Sequence, residues 1–247
     1  MENYIMMPVF LCFDKNLQDR VSHVFNSVAA NSDSENIEYN VVITPDVDTK
    51  HEKKYKDAGI KVHRMDMPEI KVNKNGIVQS PAMYLRWFIP YFTNSDKALY
   101  FDNDVVLLYN IKEMYDTKLG NNLIAAVKDK YATCVCHTTH HQGIIPGADH
   151  LPAYYSGQLL INCKLWRDEG IPTRLFIAAH EHNVLDMIAL NYICADRIKE
   201  LSPEWCISAG DEDVKKSAKL LHWHGRTKPW HRNCKNNEYY EKYRNMK

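Results

Sequence analysis

Two rhythms of apolar and polar positions run along the first hundred residues. An apolar run, MMPVFLCF, ends at Asp14 and reads as a buried strand. Leu17, Val21, Val24, Phe25 and Val28 then recur at helical spacing, which predicts a helix with Asp14 as its N-cap. After the polar loop NSDSEN, YNVVIT is a second strand, HEKKYKDAG a short polar helix ended by Gly59, and IKVHRM a third strand. Ser80-Pro81 is a helix start, Ser as cap and Pro in the first turn, and AMYLRWFIPYF follows as a mostly buried helix. KALYF is the fourth strand. The second half is less regular. NLIAAVKD is a strand ending in Asp129, and residues 131–154 have no clear period. GQLLIN is a strand, LWRDEG, TRLFIAAHEH and VLDMIALNYI are helical, KLLHWHG is a last strand, and the tail EYYEKYRNMK is helical. Strands alternating with helices predict an α/β fold whose parallel or mixed sheet is covered on both faces. Ligands of such sheets sit beyond the strand carboxyl ends, where Asp14, Asp102 and Asp104 fall. No repeat or linker marks a boundary, so residues 1–247 read as one domain.

Composition narrows the function classes. The 247 residues are 45% apolar, enough for a core, and 31 Lys and Arg balance 31 Asp and Glu. No basic run is long enough to follow a phosphate backbone, so no nucleic-acid partner is expected. The 7 cysteines are odd in number and irregular in spacing. With no signal peptide evident, this predicts a reducing, cytoplasmic location. The apolar stretch Ile5 to Phe13 is too short to span a bilayer.

The chemistry centres on LYFDNDVVLLY, residues 99–109. Asp102 and Asp104 flank Asn103 at a strand end. A bare Asp-x-Asp fits a solvated turn. It also fits a phosphohydrolase nucleophile, although Val105-Val106 follows where a small residue and a hydroxyl would be wanted. It fits a divalent-metal clamp as well, because two carboxylates repel unless a cation lies between them and hard oxygen ligands suit Mg²⁺ or Mn²⁺. The distant segment LLHWHGRTKPW favours the clamp. His222 adds an imidazole, Gly225 allows close backbone approach, and Lys228 supplies a cation for a diphosphate.

SPAMYLRWFIPYF, then KALYFDNDVVLL, GQLLINCKLWR and HWHGRTKPW, resemble in order the motifs of the retaining glycosyltransferases of family 8, which include glycogenin and bacterial lipopolysaccharide galactosyl- and glucosyltransferases. The resemblance implies a single GT-A type, Rossmann-like domain with a mixed, mainly parallel sheet. Residues 1–130 would form its nucleotide and metal half, 131–230 its sugar and acceptor half, and 231–247 a tail. It implies transfer of galactose or glucose from a UDP-hexose donor to a glycan, glycolipid or glycoprotein acceptor. Mn²⁺ would be the cofactor, with Mg²⁺ as the alternative. By position Asp102, Asp104 and His222 would hold the metal, and Gly225 and Lys228 the diphosphate. Cys12, Asp14 and Asn16 would grip uridine, Asn103 would lie against the ribose, and Arg86 would reach the donor. Asp129 and Asp186 match carboxylates around the transferred sugar, Asp186 being a candidate nucleophile. Two positions depart from the family pattern. Tyr155-Ser156-Gly157 stands where Asn-Ala-Gly is usual, and Met187 replaces a Gln after Asp186. Both departures touch the sugar pocket, so a UDP-sugar-binding protein without transfer activity is the alternative reading.

Two further segments carry expectations. CVCHTTHH, residues 134–141, has zinc-type ligands at an unusual Cys-x-Cys spacing, and reads as an acceptor loop with a zinc site as the alternative. The tail mixes aromatic and basic residues. It reads as a surface helix packing its tyrosines, with peripheral membrane contact as the alternative.

Overall fold

The computed structural model describes residues 6–67, 80–132, 135, 145, 147–148, 150–210 and 213–246. The strands are β1 Met7–Phe13, β2 Ile37–Ile43, β3 Lys61–Arg64, β4 Lys97–Phe101, β5 Val105–Leu107, β6 Ile124–Ala126, β7 Gln158–Asn162, β8 Ile198–Glu200, β9 Ile207–Ser208 and β10 Leu220–His222. The α-helices are α1 Ser22–Asn31, α2 Thr49–Asp57, α3 Lys112–Tyr115, α4 Cys163–Asp168, α5 Ile171–His182, α6 Asp186–Cys194 and α7 Asn237–Arg244.

Seven strands form a mixed sheet in the order β3-β2-β1-β4-β7-β6-β8. β1 to β4 are mutually parallel, and β7 runs antiparallel to β4 and β6. Every residue of β1 is buried because both faces of the strand are covered. Phe10 and Cys12 point into a core with Trp87, Tyr100 and Trp166, while Val9, Leu11 and Phe13 point into another with Val24, Phe101 and Val105. From β1 the chain moves outward to β2 and β3, then returns to β4 on the other side of β1. That reversal opens a crevice at the carboxyl ends of β1 and β4, the expected place for a ligand in an open α/β sheet.

A small sheet, β5-β10-β9, abuts this edge. A third core, with Trp223, Tyr240 and Tyr243, joins it to α7. The tail therefore is a packed helix with its tyrosines inward, and Asn26 and Asn31 of α1 donate to the Tyr243 carbonyl and hydroxyl at 2.8 and 3.0 Å.

Two local expectations are corrected. Asp14 does not cap the first helix, which starts at Ser22. Its carboxylate instead accepts from Asn16 N at 2.9 Å, from the Asn16 side chain and from the Ser80 hydroxyl. A backbone turn from Asp14 to Leu17 takes up the interval. The segment Pro81–Tyr91 is a 3₁₀ helix rather than an α-helix. Pro90, inside the segment, lacks the N–H that a regular ladder needs. Ser80 does cap it, accepting from Ala82 N at 3.2 Å.

Candidate functional site

The edge between the two sheets holds two adjoining clefts of about 340 and 410 Å³ that share Asp102, Asp104 and Lys228. Cys12, Asp14, Asn16, Arg86 and Asn103 line the first, together with Ser80, Tyr100 and Trp230. Asp129, Ser156, Gly157, His222 and Gly225 line the second, together with Tyr131, Tyr155, Met187 and His224. Asp186 lines neither cleft. It is buried behind Arg86, whose Nε lies 3.3 Å from its Oδ2.

Backbone register brings the distant motifs together. β4 ends at Phe101, and after Asp102–Asp104 the chain enters β5, which pairs antiparallel with β10 so that His222 faces Val105. Trp223 N donates to the Asp104 carbonyl at 3.1 Å. The β5–β10 pairing thus sets Asp104 beside His222 and Trp223, more than a hundred positions away in the sequence. On the other side Phe101 faces Gln158, and Asp102 N donates to the Gly157 carbonyl at 2.7 Å. Gly157 is required there. A Cβ at this position would lie 2.8 Å from Asp102 Oδ2 and 2.9 Å from His222 Nδ1, so any side chain would enter the space between these ligands.

One ligand atom each from Asp102, Asp104 and His222 lies within 4.8 Å of the others. Two carboxylates at that separation repel by about 3–4 kcal/mol at an effective dielectric constant of about 20. Protein cations answer this charge. His222 Nε2 lies 3.2 Å from Asp104 Oδ1, Lys228 Nζ is paired with Asp104 Oδ2, and Arg86 Nη2 lies 3.1 Å from Asp102 Oδ1. Burial alone would raise the Asp104 carboxyl, but His222 and Lys228 outweigh it and hold Asp104 below the usual carboxylate range. Burial likewise opposes charge on His222, and Asp104 outweighs it, pushing the imidazole up to about 10. The donor set of two hard carboxylates and one imidazole, kept clear by Gly157, fits Mn²⁺ or Mg²⁺.

Arg86 organises the floor. It is buried, stacks over Tyr100 with 4.7 Å from Cζ to the ring centroid, and donates to the Met83 and Ser156 carbonyls at 2.9 and 2.7 Å. Tyr100 donates to Asp102 Oδ1. Arg86 therefore fixes Asp102, Ser156 and Asp186 at once. Burial raises the Asp186 carboxyl despite the opposing Arg86 charge. Asn103 Nδ2 donates to the Cys12 carbonyl at 2.7 Å, tying the ends of β4 and β1. Asp129 Oδ1 accepts from Tyr131 N and Ala132 N, which fixes the turn that places Tyr131 beside Asp129 in the second cleft. Gly225 adopts φ +80°, a conformation that glycine reaches without strain.

Sequence reasoning did not single out Tyr100, Trp230 or His224 as site residues. His224 had a legible signal. In His222-Trp223-His224 the strand alternation sends Trp223 into the third core and returns His224 to the cleft side, its ring 4.3 Å from that of His222. The segment 134–141 lies outside the described residues, apart from Val135.

A mixed sheet with a crevice at its switch point, and an acidic pair closed by a histidine from a second small sheet, define a GT-A glycosyltransferase fold. Residues 8–234 match the model of glycosyl transferase family 8, and the chain belongs to that family. It is 30% identical over 138 residues to glycosyltransferase GlyB of Streptococcus pneumoniae, covering 55% of this chain and 30% of that protein. A putative glycosyltransferase of Haemophilus influenzae is 26% identical over 157 residues, covering 58% of this chain and 47% of that one. The matches thus span less than half the length of these relatives. Galactosyltransferase LgtC, solved with donor and acceptor sugar analogs, superposes with a TM-score of 0.76 at 19% identity, over 96% of this chain and 95% of that one. Among the described residues no helix is long and apolar enough to cross a membrane.

Proposed function

We propose that the chain transfers a hexose, galactose or glucose, from a UDP-sugar to a glycan, glycolipid or glycoprotein acceptor, with Mn²⁺ as cofactor and retention at the sugar carbon. The observation that carries this reading is the convergence of Asp102, Asp104 and His222 beside Lys228, where the two clefts meet. The first cleft suits the nucleoside. Asp14, Asn16 and Asn103 offer hydrogen bonds and Trp230 an aromatic wall. The second suits the sugar, with Asp129 and the backbone at Ser156 and Gly157 as polar groups and Tyr155 and Met187 as bulk. Asp102, Asp104 and His222 would hold Mn²⁺, which when bound would offset charge on the diphosphate and on the departing UDP. Lys228 would leave Asp104 for the diphosphate and stabilise charge where it develops. The backbone at Gly225 allows that group to approach closely.

For retention, the buried position of Asp186 supports same-face attack, with the departing phosphate taking the acceptor proton. A covalent intermediate on Asp186 would need that carboxylate to leave Arg86 and reach the cleft. Asp129 remains to orient the sugar. Any membrane contact of the tail would fall to exposed residues such as Arg232, Lys235, Lys242, Arg244 and Met246, since Tyr240 and Tyr243 are buried.

A screen of UDP-sugars for Mn²⁺-stimulated hydrolysis, with Asp104→Ala as control, tests the reading. Hydrolysis of one donor that is lost in the variant supports it. Binding of a UDP-sugar without turnover, across all donors and acceptors tried, would favour a binding protein instead.

A further inference from the structure

The histidine that closes the acidic pair also faces a thiol. Cys206 follows the 3₁₀ helix Pro203–Trp205 and leads into β9, which pairs with β10 so that Ser208 lies beside His222. Its free thiol sulfur stands 3.9 Å from His222 Nδ1. His224 returns to the same side of the chain one alternation later. Both of its ring nitrogens are shielded from solvent and lack a hydrogen-bond partner among the described residues. One ligand atom each from Cys206, His222 and His224 lies within 4.8 Å of the others. In a tetrahedral zinc site such atoms stand about 3.3–3.8 Å apart, so a contraction of about 1 Å completes the geometry. His224, only partly buried and stacked on Tyr155 at 4.8 Å, can provide it by rotating.

We propose that Cys206, His222 and His224 form a second metal site, selective for Zn²⁺, that shares His222 with the Asp102–Asp104 site so that the two exclude one another. The donor sets differ in kind. A thiolate and two imidazoles are soft and favour Zn²⁺, whereas two carboxylates and an imidazole accept the harder Mn²⁺. Exclusion follows from the imidazole itself. His222 presents Nδ1 to Cys206 and Nε2 to Asp104. A neutral imidazole has one lone pair for a metal. Zn²⁺ on Nδ1 leaves the proton on Nε2, directed at Asp104, and a metal on Nε2 leaves it on Nδ1. Zn²⁺ entry displaces two protons to solvent, the Cys206 thiol proton and the Nδ1 proton of the His222 imidazolium that Asp104 holds charged in the metal-free site. With three protein donors, the fourth position opens toward the second cleft, which His222 and His224 line. The site is therefore an inhibitory one, in which Zn²⁺ withdraws a ligand from the catalytic metal.

The exclusion rests on the metal reading of Asp102 and Asp104, so the test separates the two. Co²⁺ is titrated into the full chain carrying C134S and C136S, which removes those two thiols as sources of signal, with no Mn²⁺ or sugar present. One equivalent should give a thiolate-to-cobalt charge-transfer band that disappears in Cys206→Ser. In His224→Phe, which keeps the stack on Tyr155, the apparent Co²⁺ affinity should weaken at least about tenfold. Mn²⁺ binding is then followed by electron paramagnetic resonance in the unmodified chain. Zn²⁺ at ten times its own Kd should raise the apparent Mn²⁺ Kd about elevenfold. Absence of the band, its persistence in Cys206→Ser, or an Mn²⁺ affinity indifferent to bound Zn²⁺ would overturn the proposal. A Cys206-dependent band in a chain that binds no Mn²⁺ would uphold the soft site and sink the metal reading of Asp102 and Asp104.

Discussion

At the scale of single residues, the site depends on one missing side chain and one paired charge. Gly157 leaves open the space into which Asp102 and His222 project. Gly157→Ala should weaken Mn²⁺ binding by about tenfold or more, the range seen when groups supporting metal ligands are disturbed, with an unchanged circular dichroism spectrum. Electron paramagnetic resonance of free Mn²⁺ reads the loss directly. Lys228 is paired with Asp104 and with the Trp223 carbonyl at 3.1 Å. Lys228→Ala should lower turnover of the preferred UDP-sugar on the order of 10²-fold, because its charge is wanted where negative charge develops. Steady-state kinetics at saturating Mn²⁺ measure this. The charged and small residues of the site were legible in the sequence because their chemistry has few uses. The structure brings Asp102, Asp104, His222, Gly157 and Lys228 together. Asp186 was legible as a residue but not as a position. A carboxylate in the first turn of a helix gives no sign that an arginine from another element will cover it.

At the scale of elements, the pairing of β5 with β10 joins the halves of the site. Neither β5 nor β9 was read from the sequence, since β5 follows β4 after only three residues and β9 has two. The main sheet was readable for the opposite reason, since long apolar runs such as β1 have no alternative to burial. Trp223 anchors β10 from behind. It is fully buried, its indole donates to the Lys235 carbonyl at 2.9 Å, and its backbone bonds both Asp104 and Lys228. Trp223→Ala should cost about 3–5 kcal/mol of stability, measured by urea unfolding, and should loosen Mn²⁺ binding through the shared backbone.

At the scale of the whole molecule, α7 closes the fold over α1, and the contact is acid-sensitive. His23 of α1 is 1% exposed and meets the Tyr240 ring edge-on at 4.6 Å. Burial lowers its pKa to about 4 from an ordinary value near 6.5. The folded state therefore holds this imidazole neutral, while the unfolded chain takes up a proton below pH 6.5. Its share of stability is complete above pH 6.5 and is lost as the pH falls toward 4. Between pH 7.5 and pH 5 this amounts to about 2 kcal/mol. His23→Phe should shrink the difference between urea unfolding free energies at those two pH values by about that amount.

The central claim, that one metal-centred edge between two sheets holds a nucleoside diphosphate, is tested most directly by calorimetric titration of UDP. The structure predicts binding that requires Mn²⁺, vanishes with a chelator, and is lost in Asp104→Ala. Equal UDP affinity with Mn²⁺ and with chelator, or undiminished affinity in Asp104→Ala, would contradict it.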